Sequence, residues 1–270
     1  MCYFIIYSRT FSTQTEITSF FTSAKPPSTL RTVVSSPEWK VISPAFRDEI
    51  SAVCRGRTVN FPALPGKFTV NAKGKQVYFS KGNLYADGDK ALHFEDAQWK
   101  STPTSDGNMD ASHVSHFTWS STVGDAVGII NTGANLFCDE SHKVSVDGGE
   151  AIYYALSKDE WTYLTSKHKY KWASVNGVNG YVIAPDDFEG TLSASYADDV
   201  ALAVDNLVFL PAAGFRGSSF VANVGDRGYY WSSTVFDSDY AYLVYLTSGV
   251  VYPVKYDFRN CGYSVRLVTE

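Results

Sequence analysis

A chain of 270 residues is long enough for one large domain or two smaller ones, and for a sizeable buried core. Only 19% of its residues are charged, 15% are aromatic and the net charge is −5, which argues against a disordered chain and against a protein that grips a nucleic-acid backbone. Plentiful Gly, Ser, Thr and Asn, with few apolar helical repeats, point instead to a strand- and loop-rich globular fold.

The opening MCYFIIYSRTFSTQ carries an apolar run over Cys2–Tyr7. That run is too short for a secretory leader and lacks both a preceding basic segment and a small-residue cleavage site. No later stretch approaches the ~20 apolar residues of a membrane span, so a soluble chain without membrane insertion is expected. Ala24–Leu30 (AKPPSTL) is a Pro/Ser-rich break, and Ser43–Cys54 (SPAFRDEISAVC) reads as a short helix. Pro62 and Pro65 then mark a change of texture, and residues 1–63 read as an N-terminal arm or attachment region.

From Lys67 the pattern is β-like. KFTVNAKGKQVYFSKGNLYA holds two alternating strands around an Ala-Lys-Gly turn. Further on, LSKDEWTYLTSKHK predicts a helix with Ser157 as N-cap, Glu160 completing a capping box, and Trp161 and Leu164 on the packed edge. A second short helix is expected near Ala194–Val204, and then a buried strand in VFLPAAGFRG (Val208–Gly217). In AYLVYLTSG, Tyr242, Val244 and Leu246 alternate with Leu243, Tyr245 and Thr247, and Ser248-Gly249 turns the chain into a return strand from Val250. The tetrapeptide WSST occurs at Trp119–Thr122 and again at Trp231–Thr234, with flanks too different for an internal repeat.

Motifs for chemistry are sparse. Cys2, Cys54, Cys138 and Cys261 lie far apart without a CxxC, leaving one bridge and four free thiols both open. His113 and His116, with Asp139 and His142 downstream, lack the spacing that completes a metal site. Asp87-Gly88-Asp89 and Asp186-Asp187 could contribute to calcium loops, although Asp-Gly is also simply a good turn. There is no GxSxG, HExxH, Walker A or GxGxxG, so hydrolase and nucleotide readings have no support. No enzyme activity, metal or cofactor is expected.

The succession LPAAGFR, GYYWSST, a tyrosine-rich stretch and RNCGYSVRLV resembles the C-type-lectin-fold variable proteins of diversity-generating retroelements, in particular the gut bacterial and phage members. VYFSKGNLYA and LSKDEWTYL also look like that group, and SKDEWTYL is similar to a segment of the formylglycine-generating-enzyme superfamily, which shares the fold. The resemblance covers roughly residues 64–270. It implies an α+β C-type-lectin-like domain with antiparallel strands and two short helices, preceded by a short N-terminal region, with a variable stretch over about 228–268.

In such proteins adenine-directed mutagenesis turns Asn codons into NNC or NNT codons, which never encode Trp, Met, Gln, Lys or Glu. Val235–Cys261 contains one residue of that set, Lys255, where the frequency over residues 1–234 gives about 3.7. Eight of the eighteen tyrosines fall within Tyr229–Tyr263. Rigid amphipathic rings among small polar residues suit a binding surface better than a core, where each phenol needs a partner.

Alternation and the family pattern together place Phe236, Asp237, Asp239, Tyr240, Leu243, Tyr245, Thr247, Val250, Tyr252, Tyr256, Asp257, Phe258 and Asn260 on the binding face. Trp231, Tyr242, Val244, Leu246, Val251, Tyr263 and Val265 are expected as scaffold, with Arg259 and Gly262 as framework. The resemblance implies a non-enzymatic receptor-recognition protein or adhesin at a cell or virion surface, whose ligand is a protein or a glycan on another cell. The alternatives are an undiversified adhesin of the same fold and a copper oxidase of the formylglycine-generating type. The copper oxidases use a cysteine pair near the C-terminal end, where this chain has Cys261 alone and its next cysteine is Cys138. The calcium- and sugar-binding signatures of true lectins are absent from the sequence.

Overall fold

The computed structural model describes residues 63–87, 91–101, 113–119, 144–146, 152–217 and 220–270. The chain divides into a unit over Met1–Asn60 and a unit over Phe61–Glu270, and the described residues belong to the second. The helix expected at Ser43–Cys54 lies outside them, as do Cys2, Cys54, Cys138, Asp139 and His142.

Local chemistry sets the first elements. Strands β1 (Phe68–Thr69) and β2 (Gln76–Phe79) pair antiparallel. Gly74 takes the positive φ of 82° that closes the turn between them, and the Asn71 side chain caps the backbone N–H groups of Lys73 and Lys75. Next come β3 (Leu84–Asp87), β4 (Leu92–Phe94) and β5 (His113–Val114), which form a small antiparallel sheet in the order β4-β3-β5.

After β6 (Val144–Ser145) and β7 (Ile152–Ala155) comes helix α1 (Lys158–Lys167). Ser157 and Glu160 form the reciprocal capping box expected from the sequence, and Trp161 and Leu164 are its buried residues.

Strands β8 (Tyr170–Val175) and β9 (Val178–Ile183), then β10 (Ser195–Tyr196), lead to helix α2 (Asp199–Ala203), whose N-cap Asp198 accepts from Val200 and Ala201. Strand β11 (Val208–Pro211) is buried throughout and pairs with β9, giving a four-stranded sheet β10-β8-β9-β11. The pairing of β10 with β8 is parallel, whereas the other strand pairings are antiparallel.

The chain then forms the small hairpin β12 (Phe215–Arg216) and β13 (Val221–Ala222), followed by β14 (Arg227–Val235), β15 (Tyr240–Thr247), β16 (Val251–Phe258) and β17 (Leu267–Thr269). Strand β17 sits between β2 and β7 in a five-stranded sheet β1-β2-β17-β7-β6, tying the end of the domain to its start. The described domain is therefore β-rich and mainly antiparallel, with two short helices.

The three-stranded sheet β14-β15-β16 has core on both faces. Tyr230, Val244 and Leu246 pack in one core with Trp161 and Leu164 of α1 and with Phe79, Val208 and Val268 of the other sheets. Tyr229, Trp231, Ala241 and Leu243 face the opposite way, against Phe117, Tyr153, Tyr263 and Val265. A sheet covered twice reads as apolar at successive positions, which is why alternation along Tyr242–Thr247 does not identify a wet side.

Candidate ligand-binding surface

The edge of this sheet carries the expected display residues. Strand β16 is its outermost described strand, and it contains an irregularity that alternation does not foresee. Tyr245 pairs with Tyr252 and Leu243 pairs with Lys255, so two steps along β15 match three along β16. Pro253 and Val254 thus share one place opposite Val244, which makes a β-bulge. Pro253 has no N–H to offer a neighbour, and an edge strand at a bulge is where a sheet tolerates it.

Directly opposed residues in an antiparallel pair share a face, and one extra residue reverses the assignment beyond it. Tyr252 therefore stands beside Tyr245 on the face of Tyr229 and Trp231, whereas Tyr256 and Phe258 stand beside Tyr242 and Tyr240 on the face of Tyr230. The binding residues form two patches on opposite faces and not one continuous face.

The first patch lies beyond the N-terminus of α1. Phe236 and Tyr256 stack with centroids 4.2 Å apart and planes 5° from parallel. Tyr240 and Tyr242 both meet this pair edge-on, and Phe258 lies 4.5 Å from Tyr240. Lys158 of α1 places its ammonium 5.1 Å from the Tyr242 ring. Phe236, Tyr256 and Phe258 remain 44%, 48% and 49% exposed, so these rings pack on one another and still face water. Their mutual contacts leave little rotamer freedom to lose when a partner arrives.

The turn that carries Phe236 is held from several sides. The Asp237 carboxylate accepts from the N–H groups of Asp239 and Tyr240 at 2.8 and 2.9 Å. Arg259 donates to the Ser238 carbonyl at 3.0 Å while its guanidinium lies 4.6 Å from the Trp119 ring. The Trp119 indole donates to the Ser232 carbonyl at 2.8 Å, and the Trp231 indole donates to the Phe117 carbonyl at 2.7 Å. Arg259 thus acts as framework, joining the turn to the buried Trp119.

The second patch lies at the other end of the hairpin. Tyr245 packs against buried Tyr229 at 5.1 Å and meets Tyr252 at 6.1 Å. Lys255 and Arg227 both lie near the Tyr245 ring, at 4.1 and 6.0 Å. Thr247 and Val250 close the tip, bonded to each other through their backbones. Burial raises the Tyr229 hydroxyl's pKa, and the same cause acts strongly on Tyr263, whose ring stacks on Tyr229 at 5.1 Å.

Most of the expected binding residues are at least partly accessible. Asp237, Asp239 and Asn260 are exposed, and Asp257 is half-buried on the second face. Leu243 is the exception: it is fully buried among Trp231, Ala241 and Tyr263, and it belongs to the core. Its sequence neighbours alternate correctly, but its face is covered at this point by Phe117 and Tyr263, which no local pattern reveals. Tyr242 departs the other way, since it joins the half-exposed aromatic patch and not the scaffold. Lys255, Val254 and Lys158 belong to the surface too, and only the pairing register brings them there.

The remaining sequence candidates have structural employment. Asp186 accepts from the Thr69 backbone and hydroxyl and from Gln76, tying β1 and β2 to the loop after β9. His113 bonds Glu95 at 2.7 Å, while His116 is buried and its imidazole pKa falls to about 4 through desolvation and the charge of Arg216. No group of three His, Cys, Asp or Glu side chains among the described residues is placed to hold a metal ion. Cys261 is a half-buried free thiol whose pKa is raised chiefly by burial, the opposite of an activated thiolate. No helix among the described residues is long and apolar enough to cross a membrane.

A family described as "Domain of unknown function (DUF8237)" matches residues 193–268, a span that contains the whole β14-β15-β16 sheet. No curated protein and no solved structure matches the chain.

Proposed function

We propose that this chain is a non-enzymatic ligand-binding protein, of the receptor-recognition or adhesin kind, that recognises its partner through the outer surface of the β14-β15-β16 sheet. The observation that carries this reading is the first aromatic patch. Phe236, Tyr256 and Phe258 are large rings that a core would bury, yet they stand about half-exposed, Phe236 stacked on Tyr256 and Phe258 against Tyr240. Around them lie short polar residues, Asp237, Ser238 and Asp239, in a turn fixed by Arg259. Preformed aromatic area with a polar rim is the chemistry of a protein-recognition surface.

The resemblance to retroelement variable proteins supplies the finer reading. On it, the domain is a C-type-lectin-like one, its C-terminal surface is diversified, and it works at a cell or virion surface against a protein or a glycan on another cell. The β-rich antiparallel architecture with two short helices supports this reading, as does the burial of Trp231, Val244, Leu246, Tyr263 and Val265 beneath exposed neighbours. A framework that buries its fixed residues on both sides of the sheet can carry changes at its edge without losing the fold.

Sequencing the 3′ end of the gene across a natural population tests it. Diversification requires that codons for Phe236, Tyr245, Tyr256 and Phe258 vary while those for Trp231, Leu243 and Val265 stay constant. A uniform stretch removes diversification and leaves an undiversified adhesin. A Phe236→Ala/Tyr256→Ala protein that unfolds outright would instead make the rings core.

A further inference from the structure

The second patch differs chemically from the first, and the difference points to part of the ligand. Resting on the reading of this sheet as a binding surface, we propose that Lys255 and Arg227, flanking Tyr245, receive a carboxylate from a short acidic segment of a protein partner.

The Lys255 ammonium lies 4.1 Å from the Tyr245 centroid and 5.6 Å from that of Tyr229. Arg227 approaches the same Tyr245 ring at 6.0 Å. Two cations thus share one ring, and among the described residues neither makes an ion pair. Lys255 is half-buried, and its ammonium lies against the rings of Tyr245 and Tyr229. An incoming carboxylate can pair with both cations, and the partly apolar surroundings strengthen its attraction to them. Tyr252, 50% exposed and next to Tyr245, offers apolar area for the neighbouring residue of such a segment.

Two observations restrict the occupant. Asp257 lies on the same face of β16 toward Tyr263, and Asp226 lies beside Arg227, so the patch carries carboxylates of its own. A long polyanion would meet those charges, whereas one or two well-spaced acidic side chains avoid them. The Lys255 ammonium also lies over the Tyr245 ring, which hinders a sugar ring from stacking on that aromatic face. An acidic protein segment fits better than a sulfated or sialylated glycan.

The test is titration of the full chain with three labelled probes: a Ser-Gly octapeptide carrying two spaced Glu, its counterpart with two Lys and a sulfated hexasaccharide. The expected result is binding of the acidic peptide alone, weakening as salt is added. Lys255→Gln/Arg227→Gln should weaken it by about tenfold or more, Lys255→Arg should largely retain it, and melting temperatures should match the wild type. The proposal is overturned if the wild type ignores the acidic peptide, if the double variant binds it equally, or if the hexasaccharide binds in preference. A Phe236→Ala/Tyr256→Ala protein should still bind the acidic peptide, which separates failure here from failure of the aromatic patch.

Discussion

Tyr252 and Tyr256, both about half-exposed in β16, stand on opposite faces of the sheet because Tyr252 pairs with Tyr245 and Tyr256 with Tyr242. Residues four apart in a regular strand would share a face. The bulge at Pro253–Val254 adds the one residue that parts them, and it divides the aromatic side chains into an apolar patch at one end of the hairpin and a cationic one at the other.

The same register decides which substitutions the fold tolerates. Leu243→Ala removes a fully buried side chain between Trp231 and Tyr263 and should cost about 2–5 kcal/mol. Tyr252→Ala, on the exposed edge, should stay within about 0.5 kcal/mol of the wild type. Urea denaturation compares the two directly. Equal losses would mean that Tyr252 belongs to the core or that Leu243 does not.

The two tryptophans of the repeated WSST tetrapeptide each donate to the backbone near the other, Trp119 to the Ser232 carbonyl and Trp231 to that of Phe117. The Trp231 indole N–H is bonded to the buried carbonyl of Phe117, so Trp231→Phe keeps much of the ring and leaves that oxygen with the Tyr263 N–H as its remaining donor. A loss of roughly 0.5–1.5 kcal/mol beyond the change in apolar area is expected. Thermal unfolding of Trp231→Phe checks this, and an unchanged midpoint would show that the hydrogen bond adds nothing.

Arg259 connects the Phe236 turn to the core through the Ser238 carbonyl and the Trp119 ring. Arg259→Ala should cost about 1–2 kcal/mol from the lost ring contact and hydrogen bond. Amide exchange should then rise at Asp239 and Tyr240, whose N–H groups the turn protects, more than in α1. A uniform rise across the domain would contradict a local role.

Two buried groups oppose each other in acid. Burial pushes the Asp199 carboxyl up from 3.8 to about 6, so between those values the folded chain holds a proton that the unfolded chain has released, and stability falls as pH rises. Burial lowers His116 from 6.5 to about 4, so the unfolded chain gains its proton first, and stability falls as pH drops below 6.5. Asp199→Asn keeps an acceptor for the Gln98 N–H, bonded at 2.8 Å, and removes only the first effect. Its stability relative to the wild type should therefore rise between pH 4 and 6 by up to about 3 kcal/mol and then level off. Parallel curves for the two proteins would refute the assignment to Asp199.

Much of the domain was legible residue by residue. Ser157 and Glu160 announce α1, with Trp161 and Leu164 as its buried edge, because capping and helical spacing act within a few residues. The Asn71–Gly74 turn and the buried β11 follow from equally local chemistry, and so does the concentration of rings in β14 to β16. Composition and side-chain type thus determined that this is a strand-rich domain with an aromatic C-terminal hairpin. The tertiary structure decided where those rings point. Leu243 and Tyr242 exchange their expected roles, and Lys255 comes to lie on Tyr245, because of a bulge register and the cover laid on each face by Phe117, Tyr263 and α1. Those contacts join segments distant in sequence. Strand alternation states only that neighbours face apart, and which of the two faces stays in water depends on what the rest of the chain places against it.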